Sequence, residues 1–355
     1  MQQAKPVISR YTVTTSTAKL AALMTTVFLG LSVSAGSGAE AVHKFTLDPT
    51  KTIGAGECVD CHSPEHDVWE ETTHFKTYDE LPASDRAFEI SEALGIYDIE
   101  APDGTCVACH YTLVGETKED ALPIAGISCE SCHGAAAEWV EGHGDYAGGS
   151  IEAETPEQAK ARINAAAAAG QIRPAQINLI AGNCLACHTV PNEELVNVGG
   201  HKAGSEDFEL VSWTQGEIRH NVFWSGGEEN KPASTERKRV LYVVGQATDL
   251  EYSMRALSRS KEAGEFRTAM TTRINKNIEK LNATNGKINS PQIKEILSVA
   301  GGVNLSAVDS GALKSAADKI SQQVSEFTKK HDGKNLAALD SLLPTGDGHY
   351  SDKYR

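Results

Sequence analysis

The chain has 355 residues, enough for one large domain or two smaller ones. Its formal net charge is −15, and it becomes −18 when residues 1–39, which hold three basic and no acidic residues, are removed. Nucleic acid and anionic lipid surfaces are therefore excluded as favourable partners, and a basic docking protein fits better. The acidity also suits an exported protein that only has to stay soluble, and the charge alone leaves both interpretations open.

The first 39 residues have the pattern of a secretory signal peptide. A basic lead is followed by an apolar run over about residues 20–35 and then by small residues. The run is short for a membrane span, so cleavage after Ala35 or Ala39 would release a protein into the periplasm or another exported location. An uncleaved N-terminal membrane anchor is the alternative. No later stretch of the sequence is apolar enough to predict a span.

Four C-x-x-C-H motifs use all eight cysteines of the chain. They are Cys58, Cys61 and His62; Cys106, Cys109 and His110; Cys129, Cys132 and His133; and Cys184, Cys187 and His188. This spacing is the attachment signal for c-type heme, because two thiols reach the two vinyl groups of one porphyrin and the histidine becomes the proximal iron ligand. Zinc sites and disulfides are the alternatives, but neither explains a histidine after every second cysteine. We therefore predict four covalently attached hemes c.

Short elements are predicted between the motifs. A helix is expected over 65–78, a second over 85–94, and a loop with some strand character over 111–126. The second and third motifs are separated by 23 residues, the shortest gap between motifs, so their hemes are expected to be near neighbours.

Two further helices are predicted after the third motif. A surface helix over 155–170 opens with a capping box and a proline at its first position. Another helix begins after residue 205, and spacings of seven and four put Trp213, His220 and Trp224 on one helical face. An imidazole between two indoles suits a heme edge, although ordinary core packing would give the same pattern.

Residues 235–343 contain no cysteine and have a clear helical period. Apolar residues recur at steps of three and four, with Met254 and Met270 at core positions. We predict a helical bundle there, a tetraheme cytochrome domain over 40–234 and a polar tail over 344–355. The predicted fold class is mainly α, with little regular sheet, hemes forming the core of the cytochrome domain, and a C-terminal helical bundle.

The sixth iron ligands have to come from histidines outside the motifs. His74 follows the first motif, and His143 lies in a Gly-rich loop after the third. His220 lies between two tryptophans, and His201 follows a Gly-Gly pair. We expect mostly bis-histidine, low-spin irons from these four. No ligand role is assigned to His43, His66, His331 or His349.

The pattern resembles the tetraheme cytochrome c-554 family over roughly residues 50–225. The resemblance rests on Trp-Glu-Glu-Thr-Thr-His at 69–74, on Gly-Ile-Ser-Cys-Glu-Ser-Cys-His-Gly at 126–134, on His143, and on the order of the four motifs. The block at 126–134 is its most specific part, although related multiheme oxidoreductases share it.

The resemblance implies particular iron ligands. His74, His143 and His220 would be distal ligands, and the heme of His110 would have no sixth ligand from the protein. His201 has no counterpart in the family pattern, so it could close that open site. The helical region after residue 235 also extends beyond the usual length of the family.

Two functions follow from these patterns. The favoured one is a relay that carries electrons between redox partner proteins, for which no substrate site is needed. The alternative is an oxidoreductase that acts on a small nitrogen compound, such as nitric oxide or hydroxylamine, at one open, five-coordinate heme. A third arrangement, in which hemes stack through subunits into a conducting filament, is neither supported nor opposed by the sequence.

Overall fold

The computed structural model describes residues 47–205 and 207–345, and these residues are mainly helical with little sheet, as predicted. The predicted signal peptide, His43, His349 and most of the predicted polar tail lie outside the described residues.

The first three motifs lie among short helices and one hairpin. The helices are α1 (Gly56–Glu70), α2 (Thr73–Glu80), α3 (Asp85–Leu94), α4 (Val107–His110), α5 (Cys129–His133) and α6 (Val140–His143). Strands β1 (Thr112–Val114) and β2 (Leu122–Ala125) pair antiparallel between the second and third motifs. The first motif lies inside α1, which is kinked at His62. The second and third motif histidines are the last residues of their helices.

The next segment carries the fourth motif and ends before a compact bundle. Its helices are α7 (Pro156–Ala168), α8 (Ile177–His188), α9 (Glu193–Asn197) and α10 (Leu210–Thr214). The predicted capping box is present at the start of α7, where Thr155 and Gln158 exchange hydrogen bonds. The prediction for this helix is therefore confirmed in its position and its cap.

The prediction of one continuous helix over 65–78 is wrong. The segment is divided between α1 and α2, because the hydroxyl of Thr72 accepts a hydrogen bond from Phe75 N and opens a new helix. The predicted helix over 85–94 matches α3 residue for residue, with Ser84 as its cap and Gly95 in the left-handed conformation at its end.

The predicted helical face of Trp213, His220 and Trp224 is also wrong. Helix α10 ends at Thr214, a turn covers 215–218, and His220 lies in irregular backbone. The side chain of Asn230 donates to the carbonyl of Arg219 and accepts from Asn221 N. These bonds occupy backbone groups that a continued helix would need.

The C-terminal region forms the predicted helices. They are α11 (Thr235–Leu257), α12 (Glu265–Ile288), α13 (Pro291–Gly301) and α14 (Ser310–Lys330), followed by a 3₁₀ helix over Lys334–Leu342. Helix α11 is central, with 16 of its 23 residues buried, and it packs against α12 and α14. Met254 and Met270 are fully buried, as expected for core residues.

The core of this bundle continues into the segment that carries the fourth motif. Helix α11 also packs against α8 and α10. Leu185 and Leu210 belong to the same buried cluster as Leu250 and Leu281. The last motif helix is thus supported by the bundle. Among residues 47–345, leaving out 206, no helix combines the length and apolar content needed to cross a membrane.

Candidate heme-binding sites

Each of the four motif histidines lies beside one predicted distal histidine. The ring-centroid distances are 6.3 Å for His62 and His143, 6.5 Å for His110 and His201, 6.1 Å for His133 and His220, and 6.2 Å for His188 and His74. Two imidazole nitrogens that bind one metal ion at about 2.0 Å each put the ring centroids roughly 6 Å apart. The spacing of all four pairs therefore fits one iron between two rings.

Hydrogen bonds at Nδ1 agree with ligation through Nε2. A histidine that binds metal through Nε2 carries its proton on Nδ1 and usually donates it to a carbonyl or carboxylate. Backbone carbonyls accept from Nδ1 in four of these rings: Ile172 for His133 at 2.9 Å, Val140 for His143, Lys202 for His201 at 2.8 Å, and Ile218 for His220 at 2.7 Å. In each of these rings, Nε2 is left for another partner.

Burial favours the neutral imidazoles that metal ligation requires. Burial lowers the pKa of both His133 and His188 to about 4. Burial also lowers the pKa of His74 and of His110 below the ordinary histidine value. These four rings are therefore neutral at physiological pH and available as ligands.

Contacts between motifs show which motifs are neighbours. No disulfide joins any of the eight cysteines, all of which lie in the described part of the chain, and the thiol of Cys187 donates to the carbonyl of Ala108 in the second motif at 3.9 Å. The neighbouring Cys129 lowers the pKa of the Cys58 thiol, and Cys187 does the same to Cys109. In addition, Asn183 Nδ2 donates to the carbonyl of Cys132 at 3.0 Å. These contacts run in the order first, third, fourth, second. The second and third motifs are close as well, since Thr112 Oγ1, two residues after His110, lies 3.0 Å from Ser128 Oγ and 3.2 Å from Ser131 Oγ inside the third motif.

Glu130, inside the third motif, fixes the chain that enters the first motif. Its side chain is buried, and its carboxylate accepts hydrogen bonds from Gly54 N at 2.8 Å, Ala136 N at 2.7 Å and Ile53 N at 3.1 Å. Burial nevertheless raises the pKa of this carboxyl above its ordinary value. The sequence singles out the block at 126–134 but does not predict that Glu130 binds these backbone N–H groups. The one local sign of this role is an acidic residue between the two cysteines of a motif.

The glycines that flank the same block allow close backbone approach. A Cβ at Gly126 would lie 2.2 Å from the carbonyl oxygen of His74, which also accepts a hydrogen bond from Ile127 N at 3.0 Å. Gly134 has a φ of +87°, and a Cβ there would lie 2.3 Å from the carbonyl oxygen of Gly170. Only glycine fits both positions without displacing the backbone. The block therefore positions the start of α2, where His74 lies.

The loop that carries His201 is held by backbone contacts. Gly200 has a φ of +68°, and its N–H donates to the carbonyl of Val196 at 3.1 Å. The N–H of His201 donates to the carbonyl of Leu195 at 3.0 Å, and the guanidinium of Arg86 donates to the carbonyl of Gly200. The Gly-Gly pair thus turns the chain back after α9 and presents His201 to His110.

The aromatic residues near the fourth motif differ from the prediction. Trp213 and Phe208 pack against the ring of His188, with centroids 5.1 and 5.0 Å away. Trp224 is 83% exposed. The predicted arrangement of His220 between two indoles is therefore wrong, although His220 itself lies beside His133.

Arg273 of the bundle reaches the fourth motif. Its guanidinium is paired with the Asp249 carboxylate on α11, and its Nη1 donates to the carbonyls of His188 at 3.2 Å and Ser205 at 3.0 Å. The hydroxyl of Ser205 lies 3.0 Å from His188 Nδ1. Sequence reasoning missed this link, because nothing local to the motif indicates a cation 85 residues further along the chain.

The two remaining described histidines, His66 and His331, lie outside the four pairs. His66 Nδ1 lies 3.7 Å from a carboxylate oxygen of Glu70, one turn further along α1. The ring of His331 lies 4.5 Å from that of Phe327 at the end of α14.

A family model described as cytochrome c554 and c-prime matches residues 57–134, which contain the first three motifs. The match supports the c554 cytochrome family, so the recognition drawn from the motifs is confirmed. This family implies a c-type cytochrome that carries heme c and functions in electron transfer. No curated protein and no solved structure matched the chain.

Proposed function

We propose that the chain is an exported tetraheme cytochrome that relays electrons between redox partner proteins. Bound heme c supplies the one-electron chemistry, while the chain supplies the ligands, the spacing and the dielectric environment. The observation that carries the proposal is the spacing of 6.1 to 6.5 Å within all four histidine pairs.

Each motif would hold one heme through its two cysteines and its histidine. The proposed pairs of axial ligands are His62 with His143, His110 with His201, His133 with His220, and His188 with His74. Nδ1 of His133, His143, His201 and His220 donates to a backbone carbonyl, which fixes the orientation of the ring and supports Nε2 as the ligand atom. All four irons would then be six-coordinate and low-spin.

The proposed ligand His201 departs from what the family resemblance implies. By resemblance, the heme of His110 would be open, and an open iron is what the alternative function in nitrogen chemistry requires. The 6.5 Å spacing between His110 and His201 favours a closed site. A closed site leaves no position for a small substrate at that iron, so the relay is the function that the geometry supports best.

The proposed order of the relay follows the contacts between motifs. Cys129 lowers the pKa of the neighbouring Cys58 thiol, and the thiol of Cys187 donates to the carbonyl of Ala108 in the second motif at 3.9 Å. The carbonyl of Cys132 accepts a hydrogen bond from Asn183 on α8. Electrons would therefore pass between the first and third motifs, then to the fourth, and then to the second.

Export and a basic partner are part of the same proposal. Residues 1–39 have the composition of a signal peptide. Residues 57–134 contain 18 acidic and only 3 Lys or Arg residues. This density of negative charge would attract a basic redox protein and increase its association rate at low ionic strength.

The experiment combines heme counting with low-temperature EPR of the oxidised holoprotein. A pyridine hemochrome assay is expected to give four hemes per chain. The wild type is expected to show low-spin signals that nitric oxide leaves unchanged. His201→Ala should convert one heme to high spin, whereas His66→Ala, a control at a histidine outside the pairs, should not.

Two results would contradict this proposal. Two or fewer hemes per chain would remove the tetraheme assignment. A high-spin signal in the wild type that nitric oxide removes, together with no effect of His201→Ala, would mean that the heme of His110 is open. That second outcome would favour the oxidoreductase function.

A further inference from the structure

Glu65 is a buried carboxylate beside a proposed proximal ligand. Its side chain is only 14% exposed, and neither of its oxygens has a hydrogen-bond partner among the described residues. One of these oxygens, Oε2, lies 3.6 Å from His62 Nδ1. A carboxylate that is removed from water without a donor is strongly unfavourable, so a donor has to be supplied nearby.

The local backbone explains this placement. His62 has non-helical angles inside α1, with φ −123° and ψ 35°, and Pro64 lies inside the helix just after the kink. Glu65 follows three residues after His62 and is therefore on the same side of the helix. When Nε2 of His62 binds iron, its proton is on Nδ1, which is the atom that faces the carboxylate.

The acceptor at His62 differs in charge from those at two other motif histidines. Nδ1 of His133 faces the backbone carbonyl of Ile172, and Nδ1 of His188 faces the hydroxyl of Ser205. Both of these acceptors are neutral. A carboxylate acceptor makes an imidazole a stronger electron donor and adds negative charge near the iron. Both effects stabilise the oxidised iron, so they lower its reduction potential.

We propose that Glu65 is a positioning residue that makes the heme of the first motif the low-potential end of the relay. This inference rests on the proposed function, because it assumes that His62 is an iron ligand. At the fourth motif, by contrast, the hydroxyl of Ser205 faces His188 Nδ1, and the Arg273 guanidinium that donates to the His188 carbonyl is neutralised by its ion pair with Asp249.

The test is a potentiometric titration of the holoprotein, followed by optical spectra and EPR. Glu65→Gln is expected to raise one midpoint potential and leave the other three in place. We expect a change of about tenfold in the equilibrium constant for reduction, which is about 59 mV for a one-electron couple. The shifted heme is identified as the one whose low-spin signal is lost in His143→Ala.

Glu70→Gln is the matched control. Glu70 lies on the same helix and contacts His66 Nδ1 at 3.7 Å, but His66 belongs to none of the four pairs. This variant should leave all four midpoints at their wild-type values. Glu65→Asp keeps the charge and moves it away from Nδ1, so a smaller shift of the same heme is expected, and this variant also serves if Glu65→Gln does not fold.

Heme counts and spin states separate the two proposals. Four low-spin hemes with midpoints unchanged in Glu65→Gln and Glu65→Asp would overturn the role of Glu65 and leave the relay intact. A shift in a heme other than the one lost in His143→Ala would overturn it as well. A wild type without a low-spin heme ligated by His62 would overturn the relay proposal itself.

Discussion

Replacing Arg273 by Ala removes the cation that ties the bundle to the fourth motif. The side chains of Arg273 and Asp249 are 10% and 11% exposed, so the pair is largely shielded from water. Removing one partner of a buried ion pair costs about 3–5 kcal/mol, because it leaves an uncompensated charge. The hydroxyl of Ser253 also lies 3.1 Å from the Asp249 carboxylate and offsets part of the loss. We therefore expect a decrease of about 3 kcal/mol in the free energy of unfolding.

The assay is urea denaturation of the holoprotein, followed by far-UV circular dichroism and by the total heme absorption. Lys287→Ala, at an exposed position near the end of the same helix, is the control and should change the free energy by less than about 0.5 kcal/mol. A double-mutant cycle with Asp249→Asn measures the interaction energy between the Arg273 and Asp249 side chains. A loss below about 0.5 kcal/mol in Arg273→Ala, with no coupling in the cycle, would refute the reasoning.

Two further predictions concern stability. Glu130→Ala deprives the N–H groups of Ile53, Gly54 and Ala136 of their acceptor, at about 1–3 kcal/mol for each unsatisfied group, so a total loss of at least about 3 kcal/mol in urea denaturation is expected. A loss below about 1 kcal/mol would show that these groups find other partners. A chain that ends at residue 234 lacks α11 to α14 and exposes Leu185, which is fully buried in the complete structure, so it should lose the heme of the fourth motif. A truncated protein with four hemes by the hemochrome assay would contradict this.

The elements that the sequence predicted correctly are those specified by local signals. The boundaries of α3 follow from a serine cap and a terminal glycine, and those of α7 follow from a capping box and Gly170. The bundle helices follow from apolar residues at steps of three and four. The failure at His220 has a non-local cause, since Asn230 takes up backbone groups of a segment about ten residues earlier. Helical spacing of apolar residues carries no information about such a contact.

The residues of the candidate sites also fall into two groups: those that the local sequence specifies and those that depend on contacts between distant segments. The motif specifies the cysteines and the proximal histidines, because thioether attachment and ligation need adjacent positions. The partner of each proximal histidine depends on how distant segments pack. His74 follows the first motif by 12 residues, yet it lies beside His188 of the fourth motif. The Gly-Gly turn before His201 was visible in the sequence, but its approach to His110 depends on the contacts of α9 and Arg86.

The polarity of the proposed relay depends on residues that the motifs do not contain. Four identical motifs with bis-histidine ligation would give hemes of similar potential, and such a relay would have no preferred direction. Glu65 places a negative charge beside His62, whereas the Arg273 guanidinium beside the carbonyl of His188 is paired with the Asp249 carboxylate and adds no net charge there. Along the proposed order, this difference makes transfer from the first motif towards the fourth favourable. Because Arg273 and Asp249 both belong to the bundle, the C-terminal helices hold the end of the fourth motif without adding net charge, and the direction of electron flow would rest on Glu65.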